Sequence, residues 1–202
     1  MFQGELEKRL DMLDGNLVCV SDSQIHLIEK REQGAADLTL NLQNPCILFQ
    51  GLEDHKLGYF TNPKCADFAL YEQNKDGWML HIFELKRSVG EKEWGKMKLQ
   101  FKGAIQNALA IAGFLDIKIS LDRICVYSVY RNDKLKRFFN PVSLRFQMHE
   151  KEERTCPKDC QDWNGKGAIL NFLGKDKFKH NKIPLNAEDG TGSYNLCEGR
   201  KR

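Results

Sequence analysis

The order of elements read along this chain predicts an α/β fold. Two neighbouring apolar runs, Cys65-Ala66-Asp67-Phe68-Ala69-Leu70-Tyr71 and Trp78-Met79-Leu80-His81-Ile82-Phe83-Glu84-Leu85-Lys86, have the aromatic and β-branched content of strands. Residues 91–114 follow with helical spacing, Trp94, Met97, Phe101, Ala104, Ile105, Ala108, Leu109 and Ala112 recurring at three- and four-residue steps. Then comes Arg123-Ile124-Cys125-Val126-Tyr127-Ser128-Val129-Tyr130, an apolar run suited to an interior strand. The order is strand, strand, helix, strand.

The remaining elements are read around that centre. Residues 2–13 have the pattern of an amphipathic helix, and Ser21-Asp22-Ser23 is placed to cap a second helix running through Arg31. Residues 37–42 alternate as a half-exposed strand does, and residues 45–51 form a short apolar run that also reads as strand. Between the two central strands, Gln73-Asn74-Lys75-Asp76-Gly77 has turn chemistry, with Gly77 able to take positive φ. After Pro141 the chain turns polar, and residues 150–154 read as a solvated charged segment. Residues 167–174 are the last hydrophobic anchor, followed by lysines, glycines and asparagines that predict a loop-rich end. The expectation is a single domain with its core at about residues 35–150 and a loop-rich extension over 151–202.

Composition sets outer limits. With 202 residues and 41% hydrophobic content, the chain can bury one sizeable core. A net charge of +3 is too weak to define a nucleic-acid binder by itself. No stretch approaches the roughly 20 apolar residues of a membrane span, and the first ten residues lack a secretory pattern. Seven cysteines, an odd number lying mostly in apolar runs, point to reduced thiols and a cytoplasmic protein.

The chemistry concentrates in three residues. Side chains alternate along a strand, so Glu84 and Lys86 share a face and Leu85 takes the other. If Gln73 pairs with Trp78 across the turn, antiparallel counting sets Asp67 opposite Glu84. Phosphodiester hydrolysis needs charge neutralised on the phosphate, an activated water and a stabilised leaving oxygen. Two carboxylates, with the Leu85 carbonyl, suit Mg²⁺ or Mn²⁺, and Lys86 can orient or help deprotonate the water. The plain alternative is a hairpin with an ordinary surface ion pair. Against it stands the apolar character of both strands, since acids buried there are costly without a compensating cation.

In motif order and element order, residues 60–130 resemble the PD-(D/E)xK nuclease superfamily, the restriction-endonuclease-like fold. Asp67 matches the first acid, Glu84 the second and Lys86 the lysine; the proline that names the motif is missing, Cys65-Ala66 standing before Asp67. The resemblance implies a mixed central β-sheet flanked by α-helices, Mg²⁺ dependence, and cleavage of DNA or, less often, RNA. It also implies a glutamine on the following helix, for which Gln100 is the best match; that position reads equally as a solvated polar residue. Some members carry an acid on an early helix, with Glu29 the candidate and Glu5 and Glu7 competing. Cutting both DNA strands with one site per chain favours a homodimer. Size and fold analogy suggest an effector of a prokaryotic defence system switched by a sensor or activator protein.

Basic residues supply the expected nucleic-acid contacts. Lys86, Arg87, Lys92, Lys96, Lys98 and Lys102 cluster at and after the site, and Arg131, Lys134, Lys136 and Arg137 follow the next strand. Of these, Lys96, Lys98, Lys102 and Arg131 are the candidates for phosphate contacts, although charge runs usually mark only solvated faces. Cys156 and Cys160 are the only close cysteine pair and could join His149, His180 or Cys197 on zinc, without the second pair that structural sites normally show. Ser128 lacks a nucleophile-elbow context, and His81, on the Leu85 face, reads as a hydrogen-bonded interior residue. The alternative function is a catalytically inactive binding or assembly subunit on the same scaffold.

Overall fold

Strand β6 (Gly77–Val89) decides the architecture, because its side chains are buried on both sides. Leu80 and Ile82 enter one apolar cluster and Phe83 and Leu85 another. A strand with two buried faces needs a layer above and a layer below. The computed structural model describes residues 2–29, 36–139, 156–165 and 167–196.

The elements run in chain order as α1 (Glu5–Leu10), β1 (Val18–Ser21), β2 (Gln24–Glu29), β3 (Ala36–Asn41), β4 (Cys46–Gln50), β5 (Phe68–Asn74), β6, α2 (Glu91–Leu115), β7 (Ile124–Asp133), β8 (Gly167–Phe172), β9 (Lys175–Pro184) and β10 (Thr191–Asn195). Seven strands form one sheet in the order β1-β4-β5-β6-β7-β9-β8. β6, β7 and β9 are parallel, and the pairings towards both edges are antiparallel, so the sheet is mixed. The protein is α/β with few helices. Among the described residues, no helix is long and apolar enough to cross a membrane.

One face is covered by α2, whose Trp94, Met97, Phe101, Ala104, Ile105 and Ala108 pack on the sheet. Glu93 closes the start of this helix by accepting the Gly90 N–H at 3.0 Å. The other face differs from the expected helical flank. It is covered by a second, three-stranded sheet in the order β10-β3-β2. Ile25, Leu27, Leu38 and Leu40 of this sheet bury themselves against Leu48, Leu70, Phe83, Leu85 and Val129.

Two further expectations are corrected. Residues 24–29 form a strand, not the capped helix read through Arg31; residues 30–31 lie outside the described residues. Ile25 and Leu27 point inward while Gln24, His26 and Ile28 point outward, a period of two that overrides the capping signal. The C-terminal extension is not loop-rich. It contributes β8 and β9 to the main sheet and β10 to the small one, β9 lying parallel beside β7. Phe178 and His180 point inward between exposed Lys177 and Lys179, the alternation of a half-buried strand, and Ile183 packs into the cluster on the opposite face. The charged segment 150–154 is outside the described residues, and α1 is shorter than the 2–13 pattern.

The hairpin register that sets the site matches the sequence expectation. Gln73 pairs with Trp78 and Phe68 with Phe83, around a turn in which Gly77 has φ 113°.

Candidate active site

Asp67 precedes β5 by one residue and lies level with Glu84, one step beyond the Phe68–Phe83 pair. Its carboxylate completes the local ladder, Oδ2 accepting the Leu85 N–H at 2.8 Å. Glu84 faces α2, as do Leu80 and Ile82 four and two residues before it, and its side chain is wholly buried. Lys86 lies on the same face two residues on. Its ammonium pairs with Glu84 Oε1 and donates to the Leu85 carbonyl at 3.1 Å. Asp67, Glu84, Lys86 and the Leu85 carbonyl thus come together as the sequence indicated.

The electrostatics are those of an under-neutralised pocket. Burial, and then the neighbouring Asp67 carboxylate, push the Glu84 carboxyl up to about 8, with Lys86 pulling the other way. For Lys86, burial favours the neutral amine, but Glu84 and Asp67 outweigh it and hold the ammonium above its ordinary range. One cation therefore faces two acids, and Glu84 Oε2 has no hydrogen-bond partner among the described residues. An orphaned buried carboxylate oxygen beside a second carboxylate and a backbone carbonyl fits a hard divalent cation that keeps several waters. No group of three His, Cys, Asp or Glu side chains suited to a metal occurs among the described residues. The donor set is two carboxylates and a carbonyl.

Glu29 is also drawn in. It ends β2, raises the pKa of both Glu84 and Lys86, and lines a cleft of about 410 Å³ together with Glu53, Asp54, His55 and Asp67. The early acid therefore sits on a strand end, not on a helix. Glu5 lines a different pocket, with Leu115 and Ile117 at the C-terminal end of α2, and Glu7 is exposed on α1.

Gln100 is neither solvated nor bonded to Lys86. It is buried, and its Nε2 donates to the Cys65 carbonyl at 3.3 Å, holding the segment that delivers Asp67. The same helix anchors the rest of the 51–67 connection. Asn107 Oδ1 accepts the Leu57 N–H at 2.6 Å, and Asn62 Nδ2 donates to the Leu99 carbonyl at 2.8 Å. Where this loop crosses α2, a Cβ on Gly103 would stand 1.8 Å from the Lys64 carbonyl oxygen, so only glycine permits the approach.

The expected phosphate contacts divide. Lys98 is committed to structure, pairing with the nearly buried Asp162 at 3.0 Å and donating to the Asp159 carbonyl at 2.7 Å. Arg131 donates to the Ala187 and Glu188 carbonyls, tying down the turn between β9 and β10. Lys96 is exposed and Lys102 half-buried on α2. Hence Lys98 and Arg131 serve the fold, because each long cation meets acceptors from a distant segment, which sequence spacing cannot reveal.

His81 is the interior residue the sequence suggested, bonded to Glu72 at 3.1 Å and to the Tyr127 hydroxyl at 2.9 Å. Of the zinc candidates, His149 and Cys197 lie outside the described residues, and His180 is held by Ser128 and stacked on Trp94. Burial pushes the Cys160 thiol up to about 11, which favours the protonated form. Two polar residues that the sequence did not mark for the site lie buried on the α2 face, Ser128 as the register partner of Glu84 and His180 bonded to Ser128 from β9. An unusual Ser within the apolar run of β7 was the only signal. Compared with known proteins, the chain matches no family model, no curated protein and no solved structure.

Proposed function

We propose that this chain is a metal-dependent nuclease of the PD-(D/E)xK type with a restriction-endonuclease-like core, hydrolysing phosphodiester bonds in DNA before RNA. The observation that carries the reading is the buried Glu84 carboxylate, paired by one oxygen to Lys86, unpartnered at the other and level with Asp67. Asp67, Glu84 and the Leu85 carbonyl would hold Mg²⁺ or Mn²⁺. That ion, when bound, supplies positive charge to the phosphate and lowers the pKa of a coordinated water.

The chain's own residues do the rest. Lys86, kept as an ammonium by its acidic neighbours, donates hydrogen bonds to the attacking water or a phosphate oxygen and offsets developing negative charge. Gln100 and the anchored 51–67 loop fix Asp67, limiting the positional freedom of the first acid. Lys96, exposed on α2, and Lys102, half-buried there, are the phosphate-backbone contacts this reading retains. A cytoplasmic location, a homodimer for double-strand cleavage and a sensor or activator protein in a defence system complete the proposal.

A second reading, an inactive binding or assembly subunit, is favoured by the complete closure of Glu84 from solvent. Cleavage of linear and circular DNA and of single-stranded RNA, with Mg²⁺ or Mn²⁺ against EDTA, separates the two. Cleavage that needs both metal and Glu84, tested with Glu84→Ala, supports the enzyme. Metal-independent cleavage, or cleavage retained in Asp67→Ala, Glu84→Ala and Lys86→Ala alike, contradicts it.

A further inference from the structure

At the carboxyl ends of the parallel strands β7 and β9 lies a cavity of about 670 Å³ that the proposed chemistry leaves unused. Among the described residues, three basic side chains line it, Arg131, Lys136 and Lys182, against a single acid, Asp133. That acid is already spent on the walls. Its Oδ1 accepts the Leu135 and Lys136 N–H groups at 2.9 and 3.0 Å, and its Oδ2 accepts the Trp163 indole N–H at 3.1 Å. Arg131 is bonded to neutral carbonyls, which leave its charge uncancelled.

Lys182 is the cation most in need of a partner. Its ammonium lies 5.0 Å from the centre of the Trp163 ring and 3.4 Å from Asn164 Oδ1. Burial lowers its pKa, Asp133 opposes only through its field, and no salt bridge forms with it among the described residues. A cation partly withdrawn from water and short of a counterion favours an anionic ligand. Tyr130 adds a donor to the same lining, its ring packed on Trp163 at 5.6 Å. Burial, then Asp133, push its hydroxyl up to about 12, so the proton stays on at neutral pH. That hydroxyl has no hydrogen-bond partner among the described residues and is not sealed from solvent.

Apolar surface completes the lining, with Phe139 half-buried and Pro184 exposed. Cations and a hydroxyl donor suit the oxygens of a phosphate, and a half-open aromatic ring suits a stacked base. A bare anion would leave the aromatic part of the lining without a role. The volume is that of an ordinary small-ligand site. We infer that this cavity binds one nucleotide unit, its phosphate held by Lys182, Lys136 and the Tyr130 hydroxyl and its base against Phe139. A link of a nucleic-acid strand and a free nucleotide share this chemistry. The inference goes beyond the nuclease reading, because it uses none of the proposed metal ligands and needs no metal. Tyr130 is the register partner of Lys86, which sets the cavity one strand away from the proposed active site.

The test is binding to the full chain in EDTA, with thermal unfolding to verify the fold of each variant. The probes are orthophosphate, uridine and adenosine monophosphates, and a labelled trinucleotide with phosphorothioate linkages. Lys182→Met keeps the stem over Trp163 and removes the charge; it is expected to weaken nucleotide binding about 10-fold or more. Phe139→Ala is expected to weaken it about 5-fold or more and to leave orthophosphate unchanged. Tyr130→Phe is expected to weaken it about 3- to 10-fold. Lys177→Gln, the same charge change at an exposed position further back on β9, is expected to cost less than about 2-fold. Tighter binding of the trinucleotide than of the monophosphates assigns the unit to a strand; equal or weaker binding assigns it to a free nucleotide. Should Lys182→Met fail to fold, Tyr130→Phe takes its place. Failure of every probe to bind overturns the inference, as does wild-type affinity in Lys182→Met or Phe139→Ala. So do orthophosphate bound as tightly as a nucleotide and an equal loss in Lys177→Gln. With metal absent throughout, each of these results leaves the nuclease reading standing, and failed cleavage beside intact binding here overturns that reading alone.

Discussion

Strands β5 and β6 carry a buried glutamate on each face of the sheet, and the two are treated in opposite ways. On the small-sheet face, Glu72 accepts from Asn44 at 2.8 Å and bonds His81 at 3.1 Å, while His81 bonds Tyr127 on its other nitrogen. Burial opposes ionisation there, but the His81 and Asn44 hydrogen bonds win and the Glu72 carboxyl is held below its ordinary range. On the α2 face, burial and Asp67 win, and Glu84 is pushed up to about 8. A satisfied network is a structural element; an acid left short of partners is a site that expects a cation.

The largest effect separates these faces by activity. Asp67→Ala or Glu84→Gln is expected to reduce cleavage by more than about 10³-fold, and Lys86→Ala by about 10²- to 10³-fold. Glu72→Gln should leave cleavage per folded molecule unchanged. Single-turnover rates on a labelled duplex check this, and equal losses at positions 72 and 84 would erase the distinction.

Stability should invert the ranking. Glu72→Gln turns an amide towards the Asn44 donor and weakens a charge-assisted bond, at a cost of about 2 to 3 kcal/mol. Glu84→Gln removes an uncompensated charge, so the metal-free protein should be at least as stable as wild type at pH 8. Urea unfolding measures both. A Glu84→Gln loss matching that of Glu72→Gln would count against the description of the α2-face site.

Gly103→Ala sharpens the role of the anchored loop. The added methyl meets the Lys64 carbonyl, at an expected cost of about 1 to 3 kcal/mol, and displaces the segment leading to Asp67. Cleavage should fall beyond what the folded fraction explains; a stable variant with wild-type rate would show that the loop does not position the acid.

The pH dependence carries a sign for each face. Glu84 is raised when folded, so its contribution to the metal-free protein is complete below the ordinary carboxylate range. It is lost as pH rises towards about 8. Glu72 is lowered, so its contribution exists above the ordinary range and is lost as pH falls through its folded value. Lys86, raised from 10.5, changes only above that window. Unfolding free energies of the metal-free protein from pH 4.5 to 8 should therefore fall less in Glu84→Gln than in wild type. An unchanged slope would contradict the shift assigned to Glu84.

The smallest effect concerns the lysines. Lys96→Ala and Lys102→Ala should each reduce the salt slope of DNA binding by about 1, whereas Lys98→Ala should lower stability by freeing Asp162. Binding titrations across salt concentrations distinguish them, and equal slope changes at all three positions would return Lys98 to the phosphate face.

What could be read in advance was local. The turn at residues 73–77 set the register, the register set Asp67 against Glu84, and the 3.6-residue period gave α2 within a residue of its end. What could not be read depends on pairing between distant segments. The capping serines before β2 concealed a strand whose partner is β3, and lysine-rich β9 reads as loop until β7 is seen beside it. Lys98 and Arg131 looked like free cations for the same reason, since their acceptors lie more than 50 residues away. Ser128 could be paired with Glu84 only once the β6–β7 register was known.

The most direct test of the two-glutamate distinction is the thermal unfolding midpoint of wild type, Glu84→Gln and Glu72→Gln, with and without Mn²⁺ at neutral pH. A cation that binds only the folded protein raises the midpoint. The expected result is a Mn²⁺-dependent rise in wild type, the same rise from a lower starting midpoint in Glu72→Gln, and none in Glu84→Gln. An equal rise in Glu84→Gln, or a rise lost only in Glu72→Gln, would contradict the assignment of the metal site to the α2 face.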